Sequence, residues 1–178
     1  MSTPLIQNIN DMKREQFVST FGSVFDHASW AAEEAYECRP FADIKSLFTT
    51  LTAMVRAAPE EARQRVIRAY PGLEKFLAVA SAESLVEPVS DVPADLNRLS
   101  SEEFAQFRAL NKAYQERFDM PFVIYAQDLT RAQVMRALEQ RLRYEPEVET
   151  ATALGEVAKF ARARLAEICQ KLEPDQTA

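Results

Sequence analysis

LNRLSSEEFAQFRALNKAYQERFDMPFVIYAQ, residues 96–127, carries the pattern that decides the fold. Ser100 or Ser101 followed by Glu103 resembles a capped helix start. Phe104, Phe107, Leu110, Tyr114 and Phe118 then recur at helical spacing and line one face of a long helix. Asp119-Met120-Pro121 breaks it, since a residue before proline is pushed out of the helical region. Phe122-Val123-Ile124-Tyr125 follows as an extended, β-branched and aromatic run. Strand signals are nearly absent elsewhere.

Outward from this stretch the helical period repeats. Asp128 or Thr130 caps a helix carrying Val134, Leu138 and Leu142. Glu145-Pro146 divides it from a last long helix with Leu154, Val157, Ala161, Leu165, Ile168 and Leu172. Toward the N-terminus, Asn10 caps a short helix with Met12, Phe17 and Val18 that ends near Gly22. Val24, Phe25 and Trp30 mark an apolar reversal before a helix from Ala31 to about Cys38, stopped by Arg39-Pro40. Asp43 starts a helix with Ile44, Leu47, Phe48, Leu51 and Val55 on one face. Pro59, Glu60 and Glu61 start another, with proline and acids in the first turn, ending around Tyr70. Leu73, Phe76, Leu77 and Ala80 give a further stripe, before a segment held open by Pro88 and Pro93. The expectation is an all-α, single-domain bundle of roughly eight or nine helices, frayed over residues 1–9 and 173–178.

The 178 residues are 47% hydrophobic and 27% charged, enough for one sizeable core. A net charge of −6 argues against a sequence-blind grip on nucleic acid or anionic membrane. No run of about 18 apolar residues offers a membrane span. The N-terminal residues lack the apolar run and cleavage site of a signal peptide. Cys38 and Cys169, far apart in helical pattern, read as reduced thiols, so a cytoplasmic protein is expected. With one histidine and no clustered cysteines, no metal site is expected.

Polar side chains suited to chemistry gather in Ile67–Leu99: Tyr70, Glu74, Glu83, Ser84, Glu87, Ser90, Asp91 and Asp95. The Glu60-Glu61-Arg63-Arg65, Arg131-Arg136 and Glu145–Glu149 groups read as solvated helix faces. Arg39 reads as scaffold, and Phe104, Phe107, Tyr114 and Phe118 as core.

FGSVFDHASWAAEEA (21–35), RPF (39–41), VIRAYPGL (66–73), the 96–127 stretch and RLRYEPEVETATALGEVAKFARARL (141–165) together resemble the 2-oxo-4-hydroxy-4-carboxy-5-ureidoimidazoline (OHCU) decarboxylases of uric acid degradation. The resemblance runs through nearly the whole chain in order. It implies an all-helical homodimer without a cofactor, acting on a small ureide or carboxylate. The family removes CO₂ from the imidazoline product of urate oxidation and sets the stereochemistry of allantoin. Its site uses a His-Pro at a helix end, a Ser…Glu-Gln in the following open segment, backbone groups of the Pro-Phe-Val/Ile run, and an arginine late in the last helix.

Carried over residue by residue, the resemblance puts Tyr70 where the family has histidine before Pro71. Glu74 and Lys75 replace its alanine and glycine. Its Ser falls on Glu87, its Glu on Ser90 and its Gln on Asp91. Pro121, Phe122, Val123 and Ile124 are retained, and the late arginine is Arg164, with Arg162 on another face. Arg141-Leu142 is retained, with Tyr144 at the position of a usual asparagine. His27 matches a histidine bordering the bundle and reads as structural, near a helix start.

Decarboxylation leaves an enolate-like centre that must be protonated from one face. An imidazole suits that proton traffic, whereas a phenol near 10 holds its proton at pH 7. Ser90 is no base unaided, though Glu87 and Asp91 keep negative charge beside it. Three readings follow: a related or original decarboxylase, a ligand-binding regulatory or assembly paralog that has lost the catalytic pair, and a helical protein with no pocket.

Overall fold

A computed structural model describes residues 4–72 and 100–172, and every regular element among them is helical. There are eight: α1 (Pro4–Asp11), α2 (Arg14–Phe21), α3 (Ser29–Tyr36), α4 (Ile44–Ala57), α5 (Glu60–Ala69), α6 (Ser101–Phe118), α7 (Arg131–Arg141) and α8 (Pro146–Leu172). The all-α expectation holds. The stripe from Leu73 to Ala80 and the Pro88–Pro93 segment lie outside the described residues. Among those residues no helix is long and apolar enough to cross a membrane. The chain divides into two compact units, one of residues 1–69 with 158–178 and one of residues 70–157.

In the first unit α2 packs on α3, α3 on α4 and α4 on α5. Leu47, Leu51 and Val55 bury the predicted face of α4, and Asp43 caps it by accepting the Ser46 N–H at 2.7 Å. Phe17 gathers an aromatic cluster, with ring centroids 4.8 Å from Phe21, 5.6 Å from Tyr36 and 6.1 Å from Phe41. Arg39 is scaffold, as expected. Its guanidinium lies over the Tyr36 ring and donates to the carbonyls of Tyr36, Asn10 and Met12.

Two expectations need correction here. Residues 4–9 are not frayed: they form most of α1, and Ile6 and Ile9 are buried. Asn10 is not a helix cap either. It sits in the last turn of α1, and its amide donates to the Phe41 carbonyl at 2.9 Å while its oxygen accepts the Phe41 N–H at 2.8 Å. Both follow from one cause: burial of two isoleucines ties α1 to the core, and that outweighs the end effect.

In the second unit α6 and α7 pack together. Ser100 and Glu103 form a reciprocal capping box at the start of α6, and Thr130 and Gln133 do the same for α7. The Ser100 backbone N–H holds the Glu103 carboxyl below its ordinary pKa, with help from the Ser100 hydroxyl and Arg131. Asp119 closes α6 in the left-handed conformation at φ 51°, its N–H donating to the Gln115 carbonyl. Residues 121–126 then run without helical structure, and Phe122 sets its ring edge-on to Tyr114 at 5.2 Å. The expectation of a wholly solvated Glu145–Glu149 face is wrong at one end: Glu145 and Glu147 are exposed, but Glu149 is fully buried.

Candidate functional site

In the second unit the structure brings two expected site segments together. Tyr70 is buried at the end of α5, and the chain turns through Pro71 to Gly72. A Cβ placed on Gly72 would stand 3.2 Å from the Pro121 Cβ and 4.0 Å from the Phe122 nitrogen. Glycine thus lets the Tyr70-Pro71-Gly72 turn approach the start of the extended run closely.

That run is buried: Phe122 is 0% exposed, Val123 2% and Ile124 9%. Buried backbone amides almost always find partners. Here the N–H groups of Phe122, Val123 and Ile124 meet no acceptor among the described residues. A short stretch of backbone donors beside a helix-end turn is suited to receive carbonyl or carboxylate oxygens.

A buried charge cluster supports the run from behind. The Arg141 guanidinium donates from Nη1 to the Val123 carbonyl at 2.8 Å and from Nε to Glu149 Oε1 at 2.9 Å. The Tyr114 hydroxyl and Arg141 Nη2 donate to the same carboxylate oxygen. The Phe122 ring lies 4.6 Å from the guanidinium carbon. One anchor lies further along, where the Tyr125 N–H donates to Glu156 at 2.8 Å.

Burial, together with the hydrogen bond and charge of Glu149, holds the Tyr114 phenol above its ordinary pKa against the pull of Arg141. Burial opposes the charge on Arg141, yet the Glu149 hydrogen bond and the charges of Tyr114, Glu149 and Glu156 outweigh it and raise its pKa. A raised phenol pKa contributes stability that is complete below the free value of about 10 and is lost as pH rises beyond it. Tyr114→Phe should therefore flatten the alkaline fall in stability, read from thermal unfolding midpoints between about pH 7 and 11.

The first unit holds the remaining expected residue. Arg164 on α8 pairs with Asp26 at 2.8 Å, and Arg162 is exposed. His27, beside Asp26, takes a left-handed conformation at φ 55° two residues before α3. It is exposed and lines a cleft of about 420 Å³ with Trp30, Arg65 and Arg68. Glu74, Lys75, Glu87, Ser90 and Asp91 lie outside the described residues. Among the described residues no group of three His, Cys, Asp or Glu side chains is placed to hold a metal.

Sequence reading missed Glu149, Glu156 and Gly72, and took Arg141 only as a retained phrase. A signal was present for two of them. Glu149 precedes Ala153 and Val157 at four-residue steps, and Arg141 follows Val134 and Leu138, so both fall on apolar faces.

The fold places the chain in an all-helical class that has solved representatives. A crystal structure of (S)-allantoin synthase matches with a TM-score of 0.71 at 22% identity, covering 92% of this chain and 53% of that one. A structure of OHCU decarboxylase in the presence of (S)-allantoin matches at 0.61 and 19%, covering 89% and 99%. These likenesses speak to the fold. In sequence, the OHCU decarboxylase of Haloferax volcanii is 32% identical over 162 residues, covering 91% of this chain and 94% of that protein. The mouse (Mus musculus) OHCU decarboxylase is 32% identical over 163 residues, covering 90% of each. The uric acid degradation bifunctional protein of Bacillus subtilis is 34% identical over 165 residues, covering 92% of this chain and 32% of that one. The OHCU decarboxylase family model matches residues 10–166. The chain belongs to the OHCU decarboxylase family.

Proposed function

We propose that this protein is a divergent OHCU decarboxylase-like member of urate catabolism that binds a small ureide or carboxylate, with the original decarboxylation lost or much weakened. The observation that carries the reading is the pairing of a retained cradle with a changed acid. The Pro71 turn still meets Pro121 and Phe122, while the buried residue before Pro71 is Tyr70. A phenol ordinarily keeps its proton near neutrality, so it hydrogen-bonds a ligand more readily than it relays protons. The Phe122–Ile124 amides supply donors for the ligand's oxygens. By resemblance, the working form is a cytoplasmic homodimer that needs no cofactor.

The test generates the labile substrate in place with urate oxidase and hydroxyisourate hydrolase and follows optical rotation as allantoin forms. The expected rate is close to the spontaneous one, while (S)-allantoin binds in calorimetric titration. Fast appearance of optical activity would instead establish the active decarboxylase, the reading favoured by the identity to the decarboxylases above. Absence of both turnover and binding would leave the assembly role.

A further inference from the structure

We propose that Arg141 and Glu156 are positioning residues for the ligand, which they aim by fixing the two peptide planes that flank Ile124. The inference rests on the ligand-binding reading above and deepens it.

A trans peptide is rigid, and its C=O and N–H point in opposite directions within one plane. The cis bond among the described residues is Arg39–Pro40, so the peptides on either side of Ile124 are trans. Arg141 takes the Val123 carbonyl, which turns the Ile124 N–H away from the guanidinium. Glu156 takes the Tyr125 N–H, which turns the Ile124 carbonyl away from that carboxylate. Both anchors are charged, and the Glu156 charge acts on Arg141, so the two lie near each other. Ile124 is left with a donor and an acceptor directed away from the anchors and without partners among the described residues. An amide or ureide edge, with its own N–H and C=O, complements such a pair, whereas a bare carboxylate satisfies only the donor.

The anchors are themselves held. Arg141 is 5% exposed and locked to Glu149, which also receives the Tyr114 hydroxyl. Three helices therefore converge on one carbonyl of the run. Structural need alone would be met by Arg141 pairing with Glu149; the extra bond from Nη1 to Val123 sets the direction of Ile124.

The experiment uses the full chain and (S)-allantoin as probe. Arg141→Lys keeps the charge beside Glu149 but loses the planar fork that reaches Val123. Glu156→Ala removes the second anchor, and Glu156→Gln retains an acceptor oxygen. Arg141→Lys and Glu156→Ala should each weaken allantoin binding by about ten-fold at a temperature where both are folded. Glu156→Gln should bind like wild type, and amide exchange at Ile124 should accelerate in the two weakened variants. Wild-type affinity in folded Arg141→Lys and Glu156→Ala would overturn the proposal. If Arg141→Lys does not fold, the Glu156 pair of variants decides. If wild type binds no allantoin, the functional reading fails by itself, and Ile124 exchange decides the positioning claim: unchanged exchange overturns it.

Discussion

Replacing Glu149 with alanine should lower folding stability by about 3–5 kcal/mol, a large share of what a domain of this size possesses. The cause is the charge left behind. Arg141 donates to Glu149 through both Nε and Nη2, and the pair is 6% and 0% exposed by side chain. Removal of the carboxylate strands a guanidinium out of water, and also leaves the Tyr114 hydroxyl without its acceptor. A control at the exposed Glu147, two residues earlier on α8, should shift stability by less than about 0.5 kcal/mol. The double change Arg141→Met with Glu149→Leu should recover part of the loss, since it removes the stranded charge but leaves the Tyr114 hydroxyl and the Val123 carbonyl without these partners. Urea unfolding midpoints at constant slope measure all four proteins. A Glu149→Ala variant within about 0.5 kcal/mol of wild type would show that the cluster carries no net burden of buried charge.

Tyr70→His combined with Ser90→Glu should raise decarboxylation of the enzymatically generated substrate by about 10²-fold or more over the parent chain. The expectation follows from the family pattern, in which an imidazole and a carboxylate share the proton traffic. Either change alone should give little, because groups that act as a unit are far from additive. Tyr70 is buried at a helix end, with Gly72 against Pro121 two residues on. An imidazole is smaller than a phenol ring, so it enters that position without overpacking. Optical rotation during allantoin formation reads the outcome. A double variant no faster than the spontaneous reaction, yet still binding (S)-allantoin, would show that the surrounding groups have also changed, with Glu74 and Lys75 as the first candidates.

The helices were legible because each is written in local chemistry. Asp43, Ser100 and Thr130 cap where expected, and the expected stripes are buried at Leu47, Leu51 and Val55 of α4 and at Phe107, Tyr114 and Phe118 of α6, with Ile44, Phe48, Phe104 and Leu110 half-buried. Asp119-Met120-Pro121 ends α6 where a residue before proline must leave the helical region. The N-terminal turn was misread, since what orders it is distant: Ile6 and Ile9 are buried, and Asn10 holds the Phe41 backbone 31 residues away.

The candidate site divides along the same line. Sequence alone established the helical architecture and the family resemblance, because periodicity, capping and residue identity are local properties. Folding established that Glu149 and Arg141 are partners inside the protein, that the Gly72 turn meets Pro121, and that Arg164 answers to Asp26. Those facts depend on which faces become dry and meet, and the apolar spacing around Glu149 and Arg141 does not name their partners. Once buried, a charge must find its opposite and every available acceptor, and in this protein one of those acceptors is the Val123 carbonyl.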